Sequence, residues 1–117
     1  MDRFELERRT KAFALKVVGF VASLPKGRVA DVLGGQFLSA GTSIGANYRE
    51  ANRAESRRDF IHKIALVTKE AAETQYWCEL FEGADLGDSE VRRELLKESS
   101  ELLAIFTTIG KTTKSRG

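Results

Sequence analysis

A chain of 117 residues, 42% hydrophobic and 31% charged, has apolar side chains enough for one core and too little length for two. Its single cysteine, Cys78, excludes an internal disulfide, so a reducing cytoplasm is the expected home. Residues 1–9 lack the apolar core of a signal peptide, no run of about 18 apolar residues is present to span a membrane, and a net charge of +2 does not by itself identify a nucleic-acid partner.

The first periodic segment covers residues 4–24. Leu6, Thr10, Phe13, Val17, Phe20 and Leu24 recur in alternating steps of four and three, which place them on one helical face, and Ala14, Val18 and Val21 are expected to widen that stripe. Pro25-Lys26-Gly27 follows as a stop, because proline cannot continue the ladder and glycine permits a reversal. A second helix is predicted over residues 31–53, with Leu33, Phe37, Ala40, Ile44, Asn47 and Ala51 as its stripe. It carries Gly34, Gly35, Gly41 and Gly45, each costing about 1 kcal/mol against alanine inside a helix. Close approach to another helix explains such a concentration, and a kink near Gly34-Gly35 is the rival.

The third helix, residues 57–82, opens at Ser56 as N-cap with Asp59 three residues on, a variant of the capping box. Phe60, Ile64, Val67, Ala71, Thr74, Cys78 and Phe81 hold its stripe, and Gly83 is read as its stop. The fourth, residues 89–110, starts at Asp88 or Ser89 and is lined by Val91, Leu95, Leu102, Phe106 and Ile109. Gly110 is read as the end of that helix, leaving residues 111–117 as a frayed basic tail. With short connections, neighbouring helices must run antiparallel. The predicted fold is therefore all-α, a single antiparallel up-down-up-down four-helix bundle.

Chemistry is hard to find along this chain. Glu70 and Glu73 form an isolated Glu-x-x-Glu, and the one histidine, His62, lies outside it, so no metal site is expected. His62 and Cys78 stand sixteen positions apart on one helix, over four turns, and cannot form a thiol–base pair. No phosphate loop, serine elbow or zinc spacing occurs. The expectation is a protein with no catalytic residues, no cofactor and no small-molecule substrate.

Two patches remain. Tyr76-Trp77-Cys78 points three bulky side chains in three directions, so at least one leaves the core, to pack on a flanking helix or to seal a subunit interface. Arg49, Arg53, Arg57 and Arg58 cluster where helices two and three meet. They form either a solvated face paired with Glu50, Glu55 and Asp59 or a rim that contacts phosphate. Counted in quarters, Lys plus Arg against Asp plus Glu runs five to three over residues 1–24, six to four over 25–59, two to five over 60–87 and six to five over 88–117. An oligomer would gather such a distribution into one-signed surfaces.

The run Thr42-Ser43-Ile44-Gly45-Ala46-Asn47-Tyr48-Arg49-Glu50-Ala51 is more specific than a heptad. With Asp59-Phe60, Lys63-Ile64, Lys69-Glu70-Ala71, Glu73-Thr74 and Tyr76-Trp77, it resembles the four helix bundle protein family, also called the 23S rRNA intervening-sequence proteins. The likeness extends over about residues 4–114. It implies an up-down bundle that assembles into a homopentameric ring, with no established enzymatic activity, often encoded within insertions in bacterial large-subunit rRNA genes. The accessory proteins of diversity-generating retroelements are similar pentamers whose basic surfaces bind nucleic acid and a reverse transcriptase. Carried over by position, the resemblance marks Arg49, Arg53, Arg57 and Lys63 for such a surface. It also gives Gly41 and Gly45 a purpose: if they face another helix, Ser43 and Asn47 come within reach of its polar groups, Asn47 fixing register. The leading expectation is a cytoplasmic homo-oligomer, a pentamer, binding RNA or a ribonucleoprotein. The alternative is a protein-interaction scaffold that ignores nucleic acid, and a metal or small-molecule enzyme stands third.

Overall fold

The computed structural model describes residues 1–116, which form α1 (Arg3–Ala22), α2 (Arg28–Ala51), α3 (Arg57–Gly83) and α4 (Ser89–Ser115). They pack as an antiparallel up-down-up-down bundle in a rod of 47 × 21 × 20 Å, each helix against its chain neighbours and α4 closing more loosely onto α1. α1 and α3 face each other across the diagonal of the bundle, as do α2 and α4, and these pairs meet only through the side chains that fill the core.

Three of the four helices begin where a side-chain carboxylate or hydroxyl caps the first turn. Asp2 accepts from the Glu5 N–H at 2.8 Å and Ser56 from the Asp59 N–H at 3.0 Å. Asp88 accepts from Glu90 and Val91, both at 3.0 Å. The Asp59 carboxylate reaches back to the Glu55 N–H at 3.2 Å, one residue before the expected capping-box position.

The expected stripes face inward, except that Val18, expected to widen the stripe of α1, is exposed because it lies one residue beyond the buried Val17 and turns away from the core. Phe13, Val17, Phe37, Ile44, Ile64, Val67, Ala71, Leu95, Leu102 and Phe106 are buried in one core, with Phe20, Phe37 and Phe81 meeting at ring centroids 5.2–6.0 Å apart. Thr10, Thr74 and Ser99 interrupt the apolar stripes at little cost, because each hydroxyl donates to a carbonyl one turn back in its own helix.

α2 is unbroken through its glycines, and close approach is their reason. A Cβ at Gly41 would stand 2.9 Å from a methyl of Val17, one at Gly45 3.2 Å from the Thr10 hydroxyl, and one at Gly34 3.2 Å from Val21. All three neighbours lie on α1. Gly35 faces open space, so this explanation does not extend to it.

Several sequence boundaries need correction. α1 ends at Ala22, and α2 begins at Arg28, three residues before the expected start. Gly83 is not the stop of α3: the helix includes it, and the left-handed position falls on Asp85 (φ 51°). There the Leu86 N–H bonds to the Phe81 carbonyl at 3.0 Å and the Asp85 N–H to that of Glu82 at 3.2 Å, the paired bonds of a Schellman ending. Arg92, nearly buried, stabilises this turn by donating to Glu82 at 2.9 Å, to Asp85 at 2.5 Å and to the Gly87 carbonyl at 2.8 Å. Gly110 does not end α4 either. A Cβ there would only reach ordinary contact with Ile64, and the helix continues to Ser115. The tail expected to fray is thus helical through Ser115 with Arg116 as the cap, and Gly117 lies outside the described residues.

Candidate nucleic-acid interface

Antiparallel packing brings the start of α1, the end of α2, the start of α3 and the end of α4 to one end of the rod. That end gathers Arg3, Arg49, Arg53, Arg57, Arg58, Lys111, Lys114 and Arg116. The opposite end gathers Glu79, Glu82, Asp85, Asp88 and Glu90 from the α3–α4 turn. Asp2, Glu5, Glu7, Glu50, Glu55 and Asp59 stand at the first end too, and Lys26, Arg28, Arg92 and Arg93 at the second, so the sorting is partial: one end is mildly basic and the other mildly acidic. At about 8 Å screening length in physiological salt, a ligand at one end of a 47 Å rod does not feel the other.

The five cations singled out from the sequence are not equivalent. Arg53 and Arg58 are exposed and, among the described residues, make no ion pair. Arg49 is 54% exposed with a long 3.8 Å approach to Glu7. Together with Arg3, it and Arg53 line an open groove of about 570 Å³ between α1 and α2, floored by Ala46 and Asn52 and edged by Glu7 and Glu50. The Asn52 amide holds Glu7 at 2.8 Å, which keeps that carboxylate to one side.

Arg57 plays a different part. Its guanidinium donates to the Thr113 carbonyl and ties the end of α4 to the start of α3. Lys63 is held by Asp59 at 2.9 Å, a bond that raises its pKa, and Glu50 and Glu55 act in the same direction. Its charge is answered within the chain. Arg3, Lys111, Lys114 and Arg116 join the cluster without having been expected there. The signal for the last three is the basic tail, which the sequence alone presents as unstructured; the signal for Arg3 is its place in the first turn of α1.

Gly41 and Gly45 pack inside the bundle. Ser43 turns its hydroxyl to the Ser39 carbonyl of its own helix at 2.6 Å and does not reach across to a neighbour. Asn47 is half-buried, and no described group hydrogen-bonds to its amide; the buried stripe passes through Tyr48 instead, whose ring meets Phe106 at 5.2 Å. Tyr76 is 52% exposed and Trp77 partly buried, their rings 5.3 Å apart. The Trp77 Nε1 is buried with no partner among the described residues.

His62 is exposed and Cys78 buried, with burial pushing the thiol up to about 12. Among the described residues no three His, Cys, Asp or Glu side chains gather as metal ligands, and no helix is long and apolar enough to cross a membrane.

A short antiparallel bundle with cations gathered at one end is a helical module with a charged face. The chain belongs to the 23S rRNA-intervening sequence protein family, whose model matches residues 3–108. It is also similar to the crystal structure of a protein of unknown function from the S23 ribosomal protein family of Bacteroides thetaiotaomicron VPI-5482. The two are 35% identical with a TM-score of 0.85, over 95% of this chain and 99% of that one. Among curated proteins none matches.

Proposed function

We propose that the protein is a non-enzymatic homo-oligomer, a pentamer of bundles, that binds RNA or a ribonucleoprotein in the cytoplasm through its basic end. The observation that carries this reading is the gathering of cations, some of them unpaired, at one mildly basic end of the rod. The fold brings arginines and lysines from all four helices to one end and leaves Arg53 and Arg58 without ion-pair partners among the described residues. Guanidinium forks match phosphate oxygens, and a ring of parallel bundles multiplies one basic end into a continuous basic face. The family's name, which refers to sequences intervening in 23S rRNA, agrees with an RNA partner. The absence of catalysis is supported by the distance of His62 from Cys78 along α3 and by a thiol that stays protonated at neutral pH.

The test is binding to a labelled structured RNA at low and near-physiological salt, with Arg49→Glu/Arg53→Glu/Arg58→Glu compared to the native chain. Affinity is expected to fall with salt, and the variant is expected to flatten that dependence by about two to three in log–log slope. Lys63→Glu, whose charge Asp59 already answers, is expected to change the slope by less than about one. A folded, oligomeric native protein that binds no RNA even at low salt would sink the proposal and leave a protein-interaction scaffold as the better reading.

A further inference from the structure

Two helix faces on opposite corners of the bundle have no partner within the chain. On α1, Phe4, Arg8, Lys11, Leu15, Val18 and Ala22 follow steps of four and three and all point outward, with Phe4, Leu15 and Val18 57%, 62% and 45% exposed. On α3, Leu66, Lys69, Glu73, Tyr76 and Leu80 follow the same steps, flanked by Glu70; Leu66 is 39% and Tyr76 52% exposed, Lys69 is exposed, and Glu70, Glu73 and Leu80 are half-buried. Both faces have apolar centres, which a monomer has no reason to leave in water.

Their charges are opposite. Arg8 and Lys11 make no ion pair among the described residues, and neither do Glu70 and Glu73. Burial and the neighbouring Glu73 push the Glu70 carboxyl up, with only Lys69 opposing, so this pair of carboxylates lacks a sufficient countercharge in the single chain.

Their heights also agree. Phe20 of α1 packs edge-on against Phe81 of α3 at 5.2 Å. Leu15 and Tyr76, each five residues earlier, therefore stand level, and Lys11 lies within a residue of the level of Glu73. Since α1 and α3 run in the same direction, two copies placed side by side without axial shift set basic-apolar against acidic-apolar.

We propose that the outer face of α1 in one copy docks in parallel on the outer face of α3 in the next, Leu15 and Val18 against Tyr76, and Lys11 against Glu70 and Glu73. The contact is heterologous, using a different patch on each copy, and it keeps every basic end on the same side of the assembly. This inference rests on the homo-oligomer reading above and names its interface.

The experiment uses the full chain in light scattering across concentration, with circular dichroism to confirm folding. Lys11→Glu and Glu73→Lys are each expected to weaken assembly about tenfold or more, and the double reversal to restore it. A second arm oxidises the Leu15→Cys/Tyr76→Cys variant, the native Cys78 being buried. The expected product is a ladder of covalent multimers ending at the size of the assembly, with Leu15→Cys alone giving none. An assembly indifferent to both reversals, or a covalent dimer from Leu15→Cys alone, overturns this interface while leaving the oligomer intact. A native chain that is monomeric throughout overturns the oligomer and the interface together.

Discussion

The Cys78 sulfur lies on the core stripe of α3 with the Ser99 hydroxyl 3.8 Å away. Burial raises its pKa from about 9 to about 12, so between those values the native state holds a proton that the unfolded chain releases. Unfolding then releases a proton, and stability must fall as pH rises through that window. The contribution is fully present below pH 9 and is lost at up to about 1.4 kcal/mol per pH unit above it. In urea unfolding at a series of pH values, the stability advantage of the native chain over Cys78→Ala should therefore shrink by about that slope above pH 9. A constant difference would mean the thiol is reachable by water. The burial itself is readable from the sequence, because Cys78 falls on a strict alternation of four and three. That of Tyr48 is not, since Ile44 to Ala51 can be bridged through residue 47 or 48 with the same step sizes. Arg92 is hidden for another reason. An arginine reads as solvated until the α3–α4 turn is built, when Glu82, Asp85 and the Gly87 carbonyl converge on its guanidinium.

Among the elements, α2 offers the clearest experiment, because its glycines divide into those that touch α1 and one that touches nothing. Gly35→Ala adds helix propensity into open space and is expected to stabilise by up to about 1 kcal/mol. Gly41→Ala makes the same gain, but its Cβ meets the β-branched Val17, which cannot swing aside within a packed helix. The overlap costs about 1–3 kcal/mol, and the net change is expected to be destabilising. Denaturant titrations of the two variants should move in opposite directions. Equal shifts would remove close approach as the explanation of the glycine content. The helices themselves are legible from heptad spacing and from the caps at Ser56 and Asp88. Their ends are not legible from glycine alone. The chain passes through Gly83 and Gly110 as ordinary helix because the costs there are small and, near Gly110, tertiary partners offset them: Ile64 beside the glycine and the Arg57 bond to the Thr113 carbonyl. That extension places Lys111, Lys114 and Arg116 at the basic end, so a large part of the candidate interface depends on a tertiary contact.

Across the whole molecule, α1 is the least enclosed helix. On one side it fits closely to α2 through Gly34, Gly41 and Gly45. On the other, its seam with α4 is open, with a groove of about 390 Å³ lined by Met1, Leu6, Ile105 and Ile109. The seam is bridged mainly by Arg9, whose guanidinium donates twice to Glu98 at 2.7 Å and once to Glu101 at 3.2 Å. Partly exposed bridges of this kind contribute about 1 kcal/mol or less. Local opening is therefore expected to begin at α1, ahead of α2 and α3, whose core faces are covered on both sides. If α1 also carries one half of the subunit contact, assembly covers the helix that the isolated bundle holds least firmly. Hydrogen exchange read by mass spectrometry at high and low protein concentration tests both statements. Amides of α1 should exchange faster than those of α3 in the dilute sample and gain protection as the concentration rises, while those of α4 change little. Protection in α1 that matched α3 at every concentration would show that the close packing on α2 is sufficient to hold α1, and that the neighbour adds nothing there.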